Sequence, residues 1–339
     1  MTRPVYHPAG TDEALGFALV ELQAGRWQPT RDLLSVTGEH WALRTSRTQV
    51  LAVTAAPSDV VGVWLAEEPD NHDAHVMRAR VGVERALRAH QQRHASTAAL
   101  EGAARNAALL AARRQPRDPV PWVCLLALAR LDGRQTRREH REHSGEPMLP
   151  SGPWGLLHGV GQRDPYNREA FHRVLQFILA REVPPAASLA AVFDFGRWVA
   201  SWAPAGSPLL LLPLYALVEQ GRQQALPERG DPLWRHQWAE EPTIRYTLDA
   251  FHHWFAHPDP APRSVADLHH LAYALWAGHR FVEAAEVFTA VGAFATREPW
   301  ASVHEDPRRA DGGEALLLRA RRESSAFARS HGHRGAPRY

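Results

Sequence analysis

Between Ser264 and Val291 the chain carries two apolar stripes that only a pair of helices can bury. Leu268, Leu271, Ala272 and Leu275 recur at spacings of three and four. Gly278-His279-Arg280 interrupts the pattern, and Phe281, Ala284, Ala285, Phe288 and Val291 form a second stripe. Residues three and four apart share one face of a helix, so the spacing predicts helix, turn and helix. Ser264 supplies a hydroxyl ahead of the first stripe and Asp267 follows three positions on, close to a capping box. Small residues such as Ala272 and Ala284 allow two helices to approach closely. Each hairpin then leaves an apolar face that a neighbouring hairpin must cover.

A second copy opens the chain. Glu13 to Ala24 reads as one helix, Gly25-Arg26-Trp27 as the turn, and Pro29 to Val36 as the partner helix. An aromatic just after the turn is placed to wedge between the two. Further helices are predicted at 43–56, 74–94, 96–114, 186–203, 209–225, 243–256 and 306–326. Three of the intervening helix starts look alike. Glu68-Pro-Asp-Asn71 precedes Ala74, Arg117-Asp-Pro119 precedes Trp122, and Arg163-Asp-Pro165 precedes Phe171. Asp at the cap with proline following is a helix-start signal. No segment alternates with period two, so no sheet is predicted. The Gly- and Pro-rich residues 144–162 read as a linker between N-terminal hairpins (1–143) and C-terminal hairpins (163–328), and 329–339 as a disordered tail.

The unit at 264–292 resembles the tetratricopeptide repeat. Leu271 stands at that family's Leu position, and Ala284 and Phe288 at its Ala and Phe positions; the closing proline is absent at Thr296, although Pro299 follows. The three central helix starts lie 46 to 49 residues apart, longer than the family's roughly 34-residue period. The resemblance implies an all-α chain of stacked antiparallel helical hairpins, a tetratricopeptide-like α-solenoid, and a scaffold that binds a protein or peptide partner. In such arrays one side of the first helix lines a concave groove. With Leu268, Leu271, Ala272 and Leu275 facing the core, His269, Tyr273 and Trp276 are the residues expected to line it. At matching places the first hairpin carries only Leu15, Leu19 and Leu22.

Composition removes several chemistries. All 39 basic residues are arginine, so no lysine can cradle phosphates in a P-loop or form a Schiff base. The balance of 39 basic and 37 acidic residues leaves a net charge of +2, and nothing calls for nucleic acid. Cys124, the only cysteine, sits in an apolar run, which excludes an intrachain disulfide and a multi-cysteine zinc site. The uncharged stretch Trp198–Val218 is broken by Pro204, Pro208 and Pro213, so it reads as buried core rather than a span. The first residues lack the apolar region of an export signal, which makes cytoplasmic residence the expectation.

Other candidates read as structural. His253 and His257, with His269 and His270 nearby, have spacings a zinc site could use, yet no His-Glu-x-x-His accompanies them, and no metal or cofactor is expected. Arg137 to His143 reads as a solvated helix with Arg138 and Glu142 paired. Trp198 with Trp202, and Trp234 with Trp238, read as core stripes. Asp194 has Arg197 as a helical partner. Gly159-Val-Gly161 lacks the third glycine of a dinucleotide loop, Asp164 standing there. The sequence therefore predicts a non-enzymatic scaffold. The alternative is an enzyme or a small-ligand or metal binder with a pocket between the two halves.

Overall fold

The structure is a computed structural model that describes residues 3–224, 236–258, 263–303 and 313–332. Among them every regular element is helical, and β pairing is limited to two isolated bridges, Val5 with Phe294 and Glu142 with Gly152. The chain divides into two compact units, one of residues 12–192 and one of residues up to 11 with 193 onward. The stretch 144–162, expected as a linker, is not that boundary. It contains a helix, Trp154–Gly161, whose Leu156, Leu157 and Val160 are buried.

The first unit contains α1 (Glu13–Gln23), α2 (Gln28–Thr37), α3 (Trp41–Ala55), α4 (Val60–Glu67), α5 (His72–Gln91), α6 (Thr97–Arg114), α7 (Val120–Ala129), α8 (Trp154–Gly161) and α9 (Arg168–Ala180). The chain leaves it within α10 (Pro185–Trp202). Helix α1 packs on α2 as the opening pattern predicts, burying Leu15, Leu19 and Leu22. Trp27, just past the Gly25 turn, stacks on Trp64 of α4 at 5.5 Å. Helices α5 and α6 meet through small residues: a Cβ on Gly82 would lie 3.0 Å from the Ala104 side chain. The buried positions of α6 are only Ala104, Ala108 and Ala111. Helix α7 is buried at every position except Trp122, and α5, α6, α8 and α9 pack around it. A helix apolar all round belongs in the middle of a core.

Two of the three repeated helix starts cap as read, within a residue. Asn71 accepts from the Ala74 N–H, and Asp118 accepts from the Val120 N–H, one residue ahead of the cap. The third differs: Asn167, not Asp164, caps α9 by accepting from the Ala170 N–H. The segment 137–143 is no solvated helix. It makes a single 3-10 turn at Arg138–His140, because the Asp132 carboxylate accepts from the Thr136 and Arg137 N–H groups and bonds the buried His140 ring. Burial alone would raise that carboxyl, but these donors outweigh it and hold it down at about 2.

A buried polar seam crosses this unit. Glu169 of α9 takes two hydrogen bonds from Arg80 of α5, at 2.8 and 2.7 Å, and two from Arg173, at 3.0 and 2.8 Å. Arg80 also donates to Thr48 Oγ1 and the Thr45 carbonyl of α3. Arg44 of α3 bridges Asp73 of α5 and Asp118, which also meets His72 at 3.0 Å. Burial works against the charge on Glu169, and the two arginines overcome it and lower its pKa.

The second unit contains the remainder of α10, a 3-10 turn at Pro208–Leu211, α11 (Leu212–Gln224), α12 (Thr243–Ala250) running into a π-helical turn at Phe251–Phe255, α13 (Val265–Ala277), α14 (Phe281–Val291) and α15 (Glu314–Gly332). Ser264 caps α13 by accepting from the Asp267 N–H, as predicted. Gly278 sits so close to the Trp238 carbonyl that a Cβ there would lie 2.8 Å from it. Trp234, the residues ahead of Gly313 in the helix expected at 306–326, and the tail beyond Gly332 lie outside the described residues; 329–332 belong to α15. Among the described residues no single helix is long and apolar enough to cross a membrane; α3 and α4 reach that length only together, bent by 113°.

Removing one member of a buried ion triad leaves the others uncompensated. Glu169→Ala is expected to cost about 3–5 kcal/mol, measured by urea unfolding. Joint replacement of Arg80, Glu169 and Arg173 by Met or Leu is expected to recover most of that loss. Equal stability of Glu169→Ala and the unsubstituted chain would contradict the seam.

Candidate functional site

The face of α13 expected to line a groove is covered. His269 is fully buried: its Nε2 donates to the Phe294 carbonyl at 3.2 Å and its Nδ1 accepts from the Trp300 indole at 3.0 Å. That pairing fixes the neutral Nε2–H tautomer. Tyr273 lies edge-on between Trp238 and Trp300, with ring centroids 5.1 and 5.5 Å away. Trp276 is 3% exposed, and its indole donates to Glu323 of α15 at 2.8 Å. The expectation that these three residues face open space is corrected: Trp300 and α15 fill it. Position by position, α13 is buried from Asp267 to Ala277, so its apolar stripe never had only one side to hide.

The late histidines do not converge. His253 is exposed, His269 is committed as above, and His270 stacks on Tyr215 with centroids 3.6 Å apart. Among the described residues no group of three His, Cys, Asp or Glu side chains is placed to hold a metal ion. Cys124 is fully buried, and burial pushes its thiol up to about 12, far from a reactive thiolate. Asp194 and Arg197 form the helical ion pair expected of them, 2.7 Å apart. Trp198 and Trp202 meet edge to face at 5.4 Å, and Trp202 remains 39% exposed.

The concavity that does bring chemistry together lies in the first unit. It has a volume of about 440 Å³ and is lined by Glu39, Trp41, Pro116, Arg117, Gln162 and Arg163. Three turns build it: the entry to α3, the approach to α7 and the exit from α8. The buried seam behind them keeps the turns together. Arg44 ties α3 to Asp118 beside Arg117, and Asn167 donates to Thr45 Oγ1 of α3 at 3.1 Å.

Arg163 is the best-positioned side chain there. Its Nε donates to the Pro116 carbonyl and its Nη1 to the Gly159 carbonyl, while the guanidinium lies 4.6 Å above the Trp122 ring. Trp122 can take that position because residue 159 is glycine; a Cβ there would sit 2.6 Å from the indole. The Gly159-Val-Gly161 run therefore serves packing. No carboxylate among the described residues pairs with Arg163, and burial lowers its pKa. Arg117 is 81% exposed and lies 4.0 Å from Glu39, itself 59% exposed. Nearby Asp164 accepts from Asn167 at 2.8 Å, yet burial raises its pKa.

Two guanidinium groups, one carboxylate and an indole suit capture of an anion that carries an apolar part. Sequence reasoning missed this site, although its signal is repeated in plain view. Arg117-Asp-Pro119 and Arg163-Asp-Pro165 were legible as helix starts, and the arginine at the head of each is what reaches the concavity. No family model, curated protein or solved structure matches the chain.

His269 gives a pH signature. Burial drops its pKa to about 3 in the folded chain, against about 6.5 when unfolded. Because the folded value is depressed, its contribution is complete above pH 6.5 and is lost progressively as pH falls from there toward 3. Between pH 7 and 5 the chain should lose about 2 kcal/mol more stability than His269→Gln, measured by urea titration at each pH. Parallel pH profiles would refute the neutral buried ring. Native chain should also leave Cys124 unreactive toward Ellman's reagent, with one thiol titrating only after unfolding.

Proposed function

We propose that this chain is a non-enzymatic helical-hairpin scaffold of the tetratricopeptide-like kind, which binds a protein or peptide partner in the cytoplasm through the concavity at Trp41, Arg117 and Arg163. The single observation behind this reading is how the polar groups are spent. Arg44, Arg80, Asp118, Glu169 and His269 are all buried in mutual or backbone bonds. Arg163 keeps its charge without a carboxylate and lies at the wall of a solvent-open space. Buried, satisfied charges hold helices together; an arginine without a carboxylate beside a half-buried indole is the type of anchor that interfaces favour.

A second reading keeps the site and changes the occupant. A space of about 440 Å³ is within the range of small-ligand pockets, so a small anion could occupy it without any attached protein.

Selection from a random peptide library against the full chain tests the first reading. Acidic peptides should be enriched, and the Arg117→Gln, Arg163→Gln double variant should weaken their binding about tenfold, as loss of charge-assisted hydrogen bonds implies. No enrichment, or binding indifferent to both arginines, would remove this surface as the partner site.

A further inference from the structure

The charge around the concavity narrows what kind of anion it suits. Two guanidinium groups face one carboxylate, and the Glu39–Arg117 contact at 4.0 Å joins two well-solvated groups that a stronger anion can separate. Arg163 is held in place by two carbonyls and an aromatic ring. Its Nη2 meets no acceptor among the described residues. A preset guanidinium loses little freedom on binding, which favours an anionic oxygen that can reach Nη2. Arg163 also bonds the carbonyl of Pro116, the residue before Arg117, so the two arginines flank the same small volume. Helix α3 begins at Trp41 without a side-chain cap, so N–H groups of its first turn add positive potential there. A carboxylate brings one negative charge, whereas a phosphate monoester brings between one and two and three strong acceptor oxygens. Two guanidinium groups against one carboxylate match the larger charge better.

We infer that the concavity is a phosphate-monoester site, with the phosphoryl oxygens between Arg117 and Arg163 and the flat or apolar part of the ligand against Trp41 and Pro116. This rests on the reading of the same surface as the partner site. The phosphoryl group is the shared chemistry, whether it arrives on a modified peptide or on a free nucleotide.

The test uses the full chain at fixed ionic strength, following the Trp41 indole N–H by NMR with the resonance assigned through Trp41→Phe. Phenyl phosphate should shift that resonance and saturate, with benzoate about tenfold weaker. Arg163→Gln and Arg117→Gln should each weaken phenyl phosphate about tenfold. Arg163 also braces two turns, so the exposed Arg117 keeps the test decisive if Arg163→Gln fails to fold. Comparing AMP with a phosphotyrosyl peptide then separates the sources: tighter AMP binding points to a nucleotide, and tighter peptide binding to a modified partner. No shift with phenyl phosphate, equal saturation by benzoate, or phosphate binding unchanged in Arg117→Gln overturns the inference. Unphosphorylated library peptides that depend on both arginines would preserve the partner site and still remove the phosphate assignment.

Discussion

The carboxylate of Glu169, shared by Arg80 and Arg173 in a space that water does not reach, is the constraint on which the first unit depends. Taking three charges out of water costs several kcal/mol per ion unless every donor finds its acceptor. Few helix arrangements meet that condition. Helix α9 must present Glu169 one turn before Arg173, α5 must bring Arg80 alongside, and α3 must offer the Thr45 carbonyl and the Thr48 hydroxyl. Hydrophobic burial alone would let these helices slide past each other at small cost; the seam sets their register. Arg44 with Asp73 and Asp118 repeats the device nearer the helix N-termini. The turns that shape the concavity are held by that second cluster, so packing, register and site geometry share one origin.

Each unit also encloses one helix on nearly all sides, α7 in the first and α13 in the second. The two solve the same problem with different chemistry. Helix α7 is wholly aliphatic around Cys124, with Trp122 alone reaching outward to support Arg163. Helix α13 carries polar rings inward, and Trp300, Phe294, Tyr215 and Glu323 satisfy them. An interior histidine of this sort is tolerated because both ring nitrogens are occupied while it stays neutral.

Local signals in the sequence were sufficient for the hairpins at 13–37 and 264–291 and for the caps at Asn71 and Ser264, because spacing and capping act within a few residues. Helices α4 and α8 escaped for different reasons. Val60-Val-Gly-Val-Trp64 is apolar on every side and gives no periodic contrast, and α8 holds Gly155, Gly159 and Gly161, whose composition reads as linker. The misreading of His269, Tyr273 and Trp276 had a tertiary cause. Nothing within α13 announces that Trp300 and α15 fold back over it, although the Leu316, Leu317 and Ala320 stripe of α15 needed some surface to cover. The concavity was harder still, since Trp41, Arg117 and Arg163 are far apart in sequence and only the long-range ion pairs gather them.

That both cations around Glu169 are arginines has a further consequence. A lysine at position 80 or 173 could shed its proton in a dry setting and sit there as a neutral amine, whereas guanidinium stays charged at any pH a protein survives. The clasp can therefore be undone from one direction only, by loading a proton onto Glu169. Alkali leaves it fastened, since neither Arg80 nor Arg173 gives up its proton there.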